Sequence, residues 1–167
     1  MTHTNIPPLS LELSDYTVLA NDTLPTTAIQ IGIAVSQFND GITSRLLSGA
    51  LSVLRAHSIS PNHITISYVF GAFELPIMAQ RLLHDGCDAV IGLGCIMRGE
   101  TAHFDYVASA CAQGMMSVSV ATKKPVIFGV LTTDTPEQAL ARCDDSPNNK
   151  GHESATALIQ LLKNLAR

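Results

Sequence analysis

The stretch CDAVIGLGCIMRGETAHFDYV (residues 87–107) joins an apolar run to a helix through a short polar turn. Its first part, CDAVIGLG, is short and apolar and contains β-branched residues, which is typical of a strand buried on both faces. The turn carries Arg98, Gly99 and Glu100, and a helix is predicted to open at Thr101 and to reach about Val120. Because a buried strand that leads into a helix is half of a βαβ unit, this stretch favours an α/β fold.

The same alternation of strands and helices continues on both sides. Apolar runs predict three further strands, and helical spacing or capping signals predict four further helices. The predicted strands are 28–35, 63–70 and 125–131, and the predicted helices are 42–57, 73–86, 135–143 and 150–166. Apolar strands separated by helices indicate a parallel sheet covered on both faces. The predicted fold is a three-layer α-β-α sandwich with a four-stranded parallel sheet of the flavodoxin-like type.

The chain is predicted to form a single domain over residues 28–167. Residues 1–27 are polar and contain three prolines, so they are predicted to form an extended N-terminal arm. The segment YTVLA (16–20) within this arm has the composition of a short strand.

Composition limits the class of protein and its partners. Charged residues are 14% of the 167 residues, against about 25% in an average soluble domain. This deficit favours a homo-oligomer, because obligate interfaces resemble a core cut in half. The net charge of −4 and the absence of Trp argue against nucleic-acid binding. No long apolar run and no basic segment near the start are seen, so neither a membrane span nor a targeting signal is expected.

The cysteines do not form a C-x-x-C pair. They are Cys87, Cys95, Cys111 and Cys143. We expect reduced, mostly buried thiols in a cytoplasmic protein, with disulfides or a zinc site as the alternatives.

Residues that can carry chemistry follow the predicted strands. Phe38 follows the first strand, and Ala72, Phe73 and Glu74 follow the second. CIMRGETAH (95–103) follows the third. Because parallel strands present their carboxyl ends at one edge, these residues predict a ligand site there. Two of them have structural alternatives: Phe38 could fold onto the core, and Glu74 could be a first-turn carboxylate favoured by the helix dipole.

The segment RGETAH (98–103) predicts a phosphate site beside a proton-transfer group. Gly99 allows a ligand to approach the backbone closely, and Thr101 offers a hydroxyl and unpaired N–H groups where a helix begins. His103 lies in the first turn, where the helix dipole disfavours imidazolium, so we expect a neutral ring that can accept a proton. The alternative is an ordinary surface histidine.

Two other kinds of site are not predicted. GLGCIMRG (92–99) begins like a dinucleotide-binding fingerprint, but Met97 occupies the place of the third glycine. Glu100, His103 and Asp105 are too few and too loosely patterned for a metal site. Neither a dinucleotide-binding site nor a metal site is therefore expected.

With these residues in view, the chain resembles the lumazine synthase family from about residue 28 to its C-terminus. The motifs that carry the resemblance, in order, are SQFN (36–39), GAFELP (71–76), GCIMRGETAHFDYV (94–107), PVIFGVLT (125–132), EQALAR (137–142) and NKG (149–151). Several separate motifs in the same order make it specific. The resemblance implies a cofactor-free enzyme of riboflavin biosynthesis. Its reaction condenses 5-amino-6-(D-ribitylamino)uracil with 3,4-dihydroxy-2-butanone 4-phosphate to 6,7-dimethyl-8-ribityllumazine.

The resemblance also implies roles for individual residues. Those implied to contact the pyrimidine or its ribityl chain are Phe38, Ala72, Phe73, Glu74, Cys95, Ile96, Met97 and, from a neighbouring subunit, Phe128. Those implied to bind the butanone phosphate are Glu100, Thr101 and, from a neighbouring subunit, Arg142 and Lys150. His103 is implied to transfer protons, Phe38 to stack on the ring and Arg142 to bind the phosphate.

The same resemblance implies a homo-oligomer built on pentamers. It leaves open a 60-subunit shell and an association with riboflavin synthase. A related small riboflavin synthase and a non-catalytic flavin- or lumazine-binding shell protein remain alternative functions. The sequence departs from the usual family pattern at Gln37, where Arg is common, at Phe70, where Pro is common, and at 144–147, before the last helix.

Overall fold

The computed structural model describes residues 23–24 and 29–166. The predicted strand at 16–20 and nearly all of the predicted arm lie outside the described residues. The division into an arm and one domain therefore stays a prediction.

Strands and helices alternate along the described chain, as predicted. In chain order they are β1 (Ile31–Ser36), α1 (Asp40–Ala56), β2 (Ile64–Val69), α2 (Leu75–His84), β3 (Ala89–Met97), α3 (His103–Thr122), β4 (Val126–Thr133), α4 (Pro136–Leu140) and α5 (Lys150–Leu165). Short 3₁₀ turns, Pro61–His63 and Ala72–Glu74, precede β2 and α2.

The sheet has the strand order β2-β1-β3-β4, and all of its pairings are parallel. Ile31 of β1 is in register with Ile64 of β2 on one side and with Ala89 of β3 on the other. The chain therefore leaves β1 in one direction to form β2 and then crosses back to form β3. This change of direction is the switch point at which doubly wound sheets bind ligands.

Helices cover both faces of the sheet, which confirms the predicted three-layer α/β fold. On one face, Ile33 of β1 and Ile91 of β3 pack in a buried cluster with residues of α1 and α5. On the other face, Val90 of β3 belongs to a second cluster with residues of α2 and α3. Gly151 lets α5 approach α1 closely, because a Cβ at this position would collide with the Leu46 carbonyl group.

Several predicted element boundaries differ from the observed ones. The predicted helix 73–86 begins instead with a 3₁₀ turn, and α2 starts at Leu75 with Pro76 in its first turn, where no N–H is needed. The predicted strand 87–94 runs on to Met97, because β4 supplies pairing partners as far as Thr133. The third helix begins at His103, two residues later than predicted.

The predicted cap of the fourth helix is confirmed in part. Thr135 Oγ1 accepts a hydrogen bond from the Gln138 backbone N–H at 3.3 Å. Gln138 Oε1 accepts from the N–H of Asp134 at 2.9 Å, one residue before the position that a standard capping box uses. The helix itself ends at Leu140, earlier than predicted.

All four cysteines are buried, as expected. Among the residues that the structure describes, no helix is both long enough and apolar enough to cross a membrane.

Candidate active site

A cavity of about 590 Å³ opens at the carboxyl edge of the sheet, beyond β1, β2 and β3. Its size suits a small-molecule ligand. The lining residues are Phe38, Asn39, Phe70, Gly71, Ala72, Phe73, Glu74, Cys95, Ile96, Met97, Gly99, Thr101, His103, Phe104, Tyr106 and Val107. Nine of the thirteen predicted site residues are among them, so the structure brings most of the predicted site together in one chain.

The loop after β1 is held against β3 by Asn39. This residue has a left-handed backbone (φ 64°), which asparagine tolerates better than most residues. Its Nδ2 donates to the Cys95 carbonyl at 2.9 Å. Phe38, one residue earlier, has 59% of its surface exposed, so its ring is not folded onto the core.

The loop after β2 is shaped by Glu74. Its Oε2 accepts a hydrogen bond from the Gly71 N–H at 2.8 Å, which caps the 3₁₀ turn. The same half-buried side chain lines the cavity. One carboxylate oxygen therefore has a structural partner, which leaves Oε1 as the acceptor for a ligand.

The end of β3 presents mainly backbone to the cavity. Cys95 and Ile96 are buried on opposite faces of the sheet, and Met97 is partly exposed. Burial, with a smaller contribution from the nearby Cys143 thiol, raises the pKa of Cys95 to about 11. Its thiol is therefore neutral at physiological pH and unsuited to act as a nucleophile.

The turn between β3 and α3 contributes polar groups. His103 is the first residue of α3, and its backbone N–H donates to Thr101 Oγ1 at 3.4 Å. Both side chains are exposed and line the cavity. Arg98, just before this turn, bonds Asp134 after β4 at 2.9 Å and Asp105 in α3 at 3.1 Å. Its guanidinium also lies 4.1 Å from the centre of the Phe104 ring. Arg98 therefore ties the first turn of α3 to the ends of β3 and β4.

Four predicted site residues do not line this cavity. Glu100 is exposed in the turn between two lining residues. Phe128 is a residue of β4 and lies opposite Gly92 of β3. Its side chain packs against the core beneath α2 and α3. Arg142 and Lys150 lie beyond β4, where both contact Glu153, at 2.8 Å and 3.4 Å respectively. No lysine or arginine is among the described residues that line the cavity.

A family model for 6,7-dimethyl-8-ribityllumazine synthase matches residues 28–166. The chain belongs to the lumazine synthase family. Membership implies a transferase enzyme of riboflavin biosynthesis, in a family known for oligomeric assemblies. The cavity at the carboxyl edge contains residues from three of the motifs that carried the resemblance, SQFN, GAFELP and GCIMRGETAHFDYV.

Sequence reasoning missed several residues of the cavity wall. These are Asn39, Phe70, Gly71, Phe104, Tyr106 and Val107. Gly99 was predicted only to let a ligand approach the backbone closely. Asn39, Gly71, Phe104, Tyr106 and Val107 lie inside the quoted motifs, so membership of a motif was an available signal. Phe70 is the last residue of the predicted second strand and was noted only as a departure from the family pattern. Tyr106 and Val107 lie within α3, where their side chains could have been read as ordinary helix surface.

Proposed function

We propose that this protein condenses 5-amino-6-(D-ribitylamino)uracil with 3,4-dihydroxy-2-butanone 4-phosphate to 6,7-dimethyl-8-ribityllumazine, releasing phosphate and water. The observation that carries the proposal is the cavity in which Phe38, Glu74 and His103 meet, in a chain of the lumazine synthase family. An aromatic face, a carboxylate and an imidazole are what this pair of substrates requires.

The pyrimidine lies against Phe38 in this proposal. An exposed phenyl ring in a mostly apolar cavity favours stacking with a planar heteroaromatic ring. Backbone groups of Cys95, Ile96 and Met97 meet the polar edge of the pyrimidine. Glu74 accepts hydrogen bonds from ribityl hydroxyls through the carboxylate oxygen that does not bond Gly71, beside Ala72 and Phe73.

The phosphate of the butanone lies at the start of α3. The Thr101 hydroxyl and the positive end of the dipole of a long helix favour an anion there. Glu100 can assist through its backbone, because its carboxylate would repel a phosphate. Since no lysine or arginine is among the described residues of the cavity wall, we assign the neutralising cations to Arg142 and Lys150 of a neighbouring subunit.

The chemistry needs proton transfers but no electron carrier. The pyrimidine amine attacks the ketone carbon, and loss of water gives an imine. A proton then leaves the carbon next to the imine, and the C–O bond to phosphate breaks. The enol that remains at the hydroxyl-bearing carbon tautomerises to a ketone, and attack of the ribityl-bearing nitrogen on this ketone closes the second ring and releases water again. His103, on the cavity wall, accepts and returns the protons. Holding two reactants together in one cavity can lower the barrier by up to about 7–11 kcal/mol.

A closed ring of subunits, most simply a pentamer, is the proposed assembly. Exposed apolar side chains support buried contacts with other subunits; among them are Ile66, Tyr68, Ile77, Met116 and Val120. A head-to-tail contact that closes by rotation sets Phe128, Arg142 and Lys150 of one subunit against the cavity of the next. The catalytic unit is the proposed single domain 28–167, and the buried free thiols suit a cytoplasmic protein.

The proposal is tested by mixing the purified protein with the two precursors and following lumazine absorbance together with phosphate release. We expect both signals to rise in equal amounts. Riboflavin formed from lumazine alone would instead identify a riboflavin synthase. Lumazine binding without turnover of the precursors would identify a non-catalytic binding protein. Either outcome overturns the proposed reaction.

A further inference from the structure

Phe70 is an exposed aromatic residue at the mouth of the cavity. It follows β2 directly, has 74% of its surface exposed and lines the same cavity as Phe38. Nothing in the predicted set of substrate contacts uses it. A phenyl ring this exposed beside an apolar site raises the question of what the ring contacts.

The backbone holds Phe70 and Phe38 side by side. The Phe38 N–H donates to the Phe70 carbonyl at 2.9 Å, and the Gln37 N–H donates to the Val69 carbonyl at 2.8 Å. These bonds attach the loop after β1 to the end of β2. The positions from which the two rings project are therefore set by the sheet.

The two rings contact each other in a tilted arrangement. Their centres are 6.2 Å apart and their planes meet at 57°. This geometry lies within the range of favourable tilted aromatic pairs, about 4.5–7 Å. A planar ligand held between two parallel rings would need a separation of about 7 Å, since each contact takes about 3.5 Å. Phe70 is therefore arranged to support Phe38, and the other face of Phe38 remains available to a ligand.

We infer that Phe70 is a positioning residue that holds the Phe38 ring in the orientation needed to stack on a planar heteroaromatic ligand. This inference rests on the proposed function, because it assumes that Phe38 meets the pyrimidine and the bicyclic product. The inference predicts different effects on the two substrates. Binding of the pyrimidine depends on Phe70, whereas binding of the phosphorylated ketone does not.

The test measures lumazine binding by fluorescence titration and steady-state kinetics for both substrates. Phe70→Leu should raise the Kd for 6,7-dimethyl-8-ribityllumazine and the KM for the pyrimidine about 3- to 10-fold, the range expected for loss of an aromatic pair. The KM for the butanone phosphate should stay within about twofold of the wild-type value. Phe70→Tyr keeps the ring and should restore binding.

Tyr68→Leu is the matched control. Tyr68 is an aromatic residue of β2 with 57% exposure, two residues before Phe70, and it is not part of the cavity wall. A loss of binding caused by altered subunit contacts would appear in both leucine variants. Equal losses in Phe70→Leu and Tyr68→Leu would therefore overturn the inference.

A double-mutant cycle tests whether Phe70 acts through Phe38. If it does, adding Phe70→Leu to a Phe38→Leu protein should change the Kd less than about twofold. Additive losses would contradict a positioning role, and so would unchanged binding by Phe70→Leu. A wild-type protein that neither bound nor formed lumazine would overturn the proposed function itself, so the two failures are distinguishable.

Discussion

The end of β3 shows how one residue can serve both packing and a ligand site. The Cys95 thiol is buried in the core, while its carbonyl accepts a hydrogen bond from Asn39 at the cavity. The side chain of Ile96 is likewise buried, on the opposite face of the sheet. Because strand side chains alternate between faces, a buried strand can offer a ligand mainly its backbone where it ends. Substitutions here are expected to affect stability more than specificity.

For His103, we expect replacement by Ala to lower kcat while leaving measurable activity. A positioned acid–base group contributes on the order of 10²–10⁴-fold at most, whereas the cavity still orients both reactants. Initial rates of lumazine formation give kcat for His103→Ala. His84→Ala is the control, since His84 is an exposed histidine at the end of α2, outside the cavity. An unchanged kcat in His103→Ala would remove the proposed proton-transfer role.

For Arg142, we expect replacement by Ala to raise the KM for the butanone phosphate far more than the KM for the pyrimidine. Loss of a charged hydrogen bond costs about 1.5–3 kcal/mol, or roughly 10- to 150-fold in affinity. Arg142 also bonds Glu153 at 2.8 Å, so some loss of stability is expected as well. Arg55→Ala, at an exposed position in the last turn of α1, is the control. Equal changes in both KM values would place Arg142 away from the phosphate.

The buried thiols predict how stability depends on pH. Burial raises the pKa of Cys111 to about 12, and the pKa of Cys95 is raised to about 11. In the unfolded chain, a cysteine thiol has a pKa of about 8.5. Below that pH both states keep their protons and the stabilisation is complete. Between about pH 8.5 and 11 only the unfolded state loses protons, so the free energy of unfolding should fall by about 1.4 kcal/mol per pH unit for each thiol.

Urea unfolding at pH 8, 9 and 10 measures this slope. Cys111→Ala should be less stable at pH 8 but should lose stability less steeply as the pH rises. Because other groups also titrate in this range, the difference between the two slopes isolates Cys111. Identical slopes in the two proteins would contradict the assignment.

At the scale of secondary-structure elements, the packing of α5 against α1 depends on the loop that precedes α5. Asn149 precedes α5 and is 3% exposed. Its Oδ1 accepts from the N–H groups of Gly151 and His152, and its Nδ2 donates to the carbonyls of Arg45 and Asp144. One side chain therefore caps α5 and fastens it to α1. The positions of Arg142 and Lys150 near the start of α5 follow from this attachment.

Asn149→Ala is accordingly expected to destabilise the fold by about 2 kcal/mol or more. The change removes a helix cap, worth about 1 kcal/mol, and leaves buried polar groups without partners. Urea unfolding of Asn149→Ala and of Asn148→Ala makes the comparison, since Asn148 is the exposed neighbour. Equal stability of the two variants would show that the cap contributes little.

At the scale of the whole molecule, the separation of the cavity from Arg142 leads to a prediction about assembly. A protein with His103→Ala and a protein with Arg142→Ala are unfolded together and refolded as a mixture. If each site uses His103 of one subunit and Arg142 of the next, about a quarter of the interfaces in randomly mixed rings regain both wild-type residues. Activity of the mixture should then exceed that of either variant refolded alone.

Native mass spectrometry provides the control, because it detects rings that contain both variants. If mixed rings form but activity is only the average of the two parents, each site lies within one chain. Rings of a size other than five would correct the proposed pentamer without affecting the shared site.

Much of the fold could be predicted because its signals are local. The apolar runs of β1 and β3 are each short and continuous, and this pattern indicates burial on both faces without knowledge of any partner strand. β2 departs from it, since Ile66 and Tyr68 are exposed. The flavodoxin-like class could be predicted as well, since right-handed crossovers leave few arrangements for such a sheet. The edge at which the cavity opens could also be predicted, because the carboxyl ends of parallel strands meet there.

Other features depend on residues far apart in the chain. The extension of β3 to Met97 requires Thr133 of β4, the support of Phe38 requires Phe70, and the pairing of Arg142 requires Glu153. Hydrophobic periodicity and capping signals report only a residue's near neighbours along the sequence. Such contacts form only when packing brings distant segments together. Local pattern therefore determined which elements form and at which edge of the sheet the cavity opens, whereas tertiary packing decided which side chains and backbone groups make up the cavity wall.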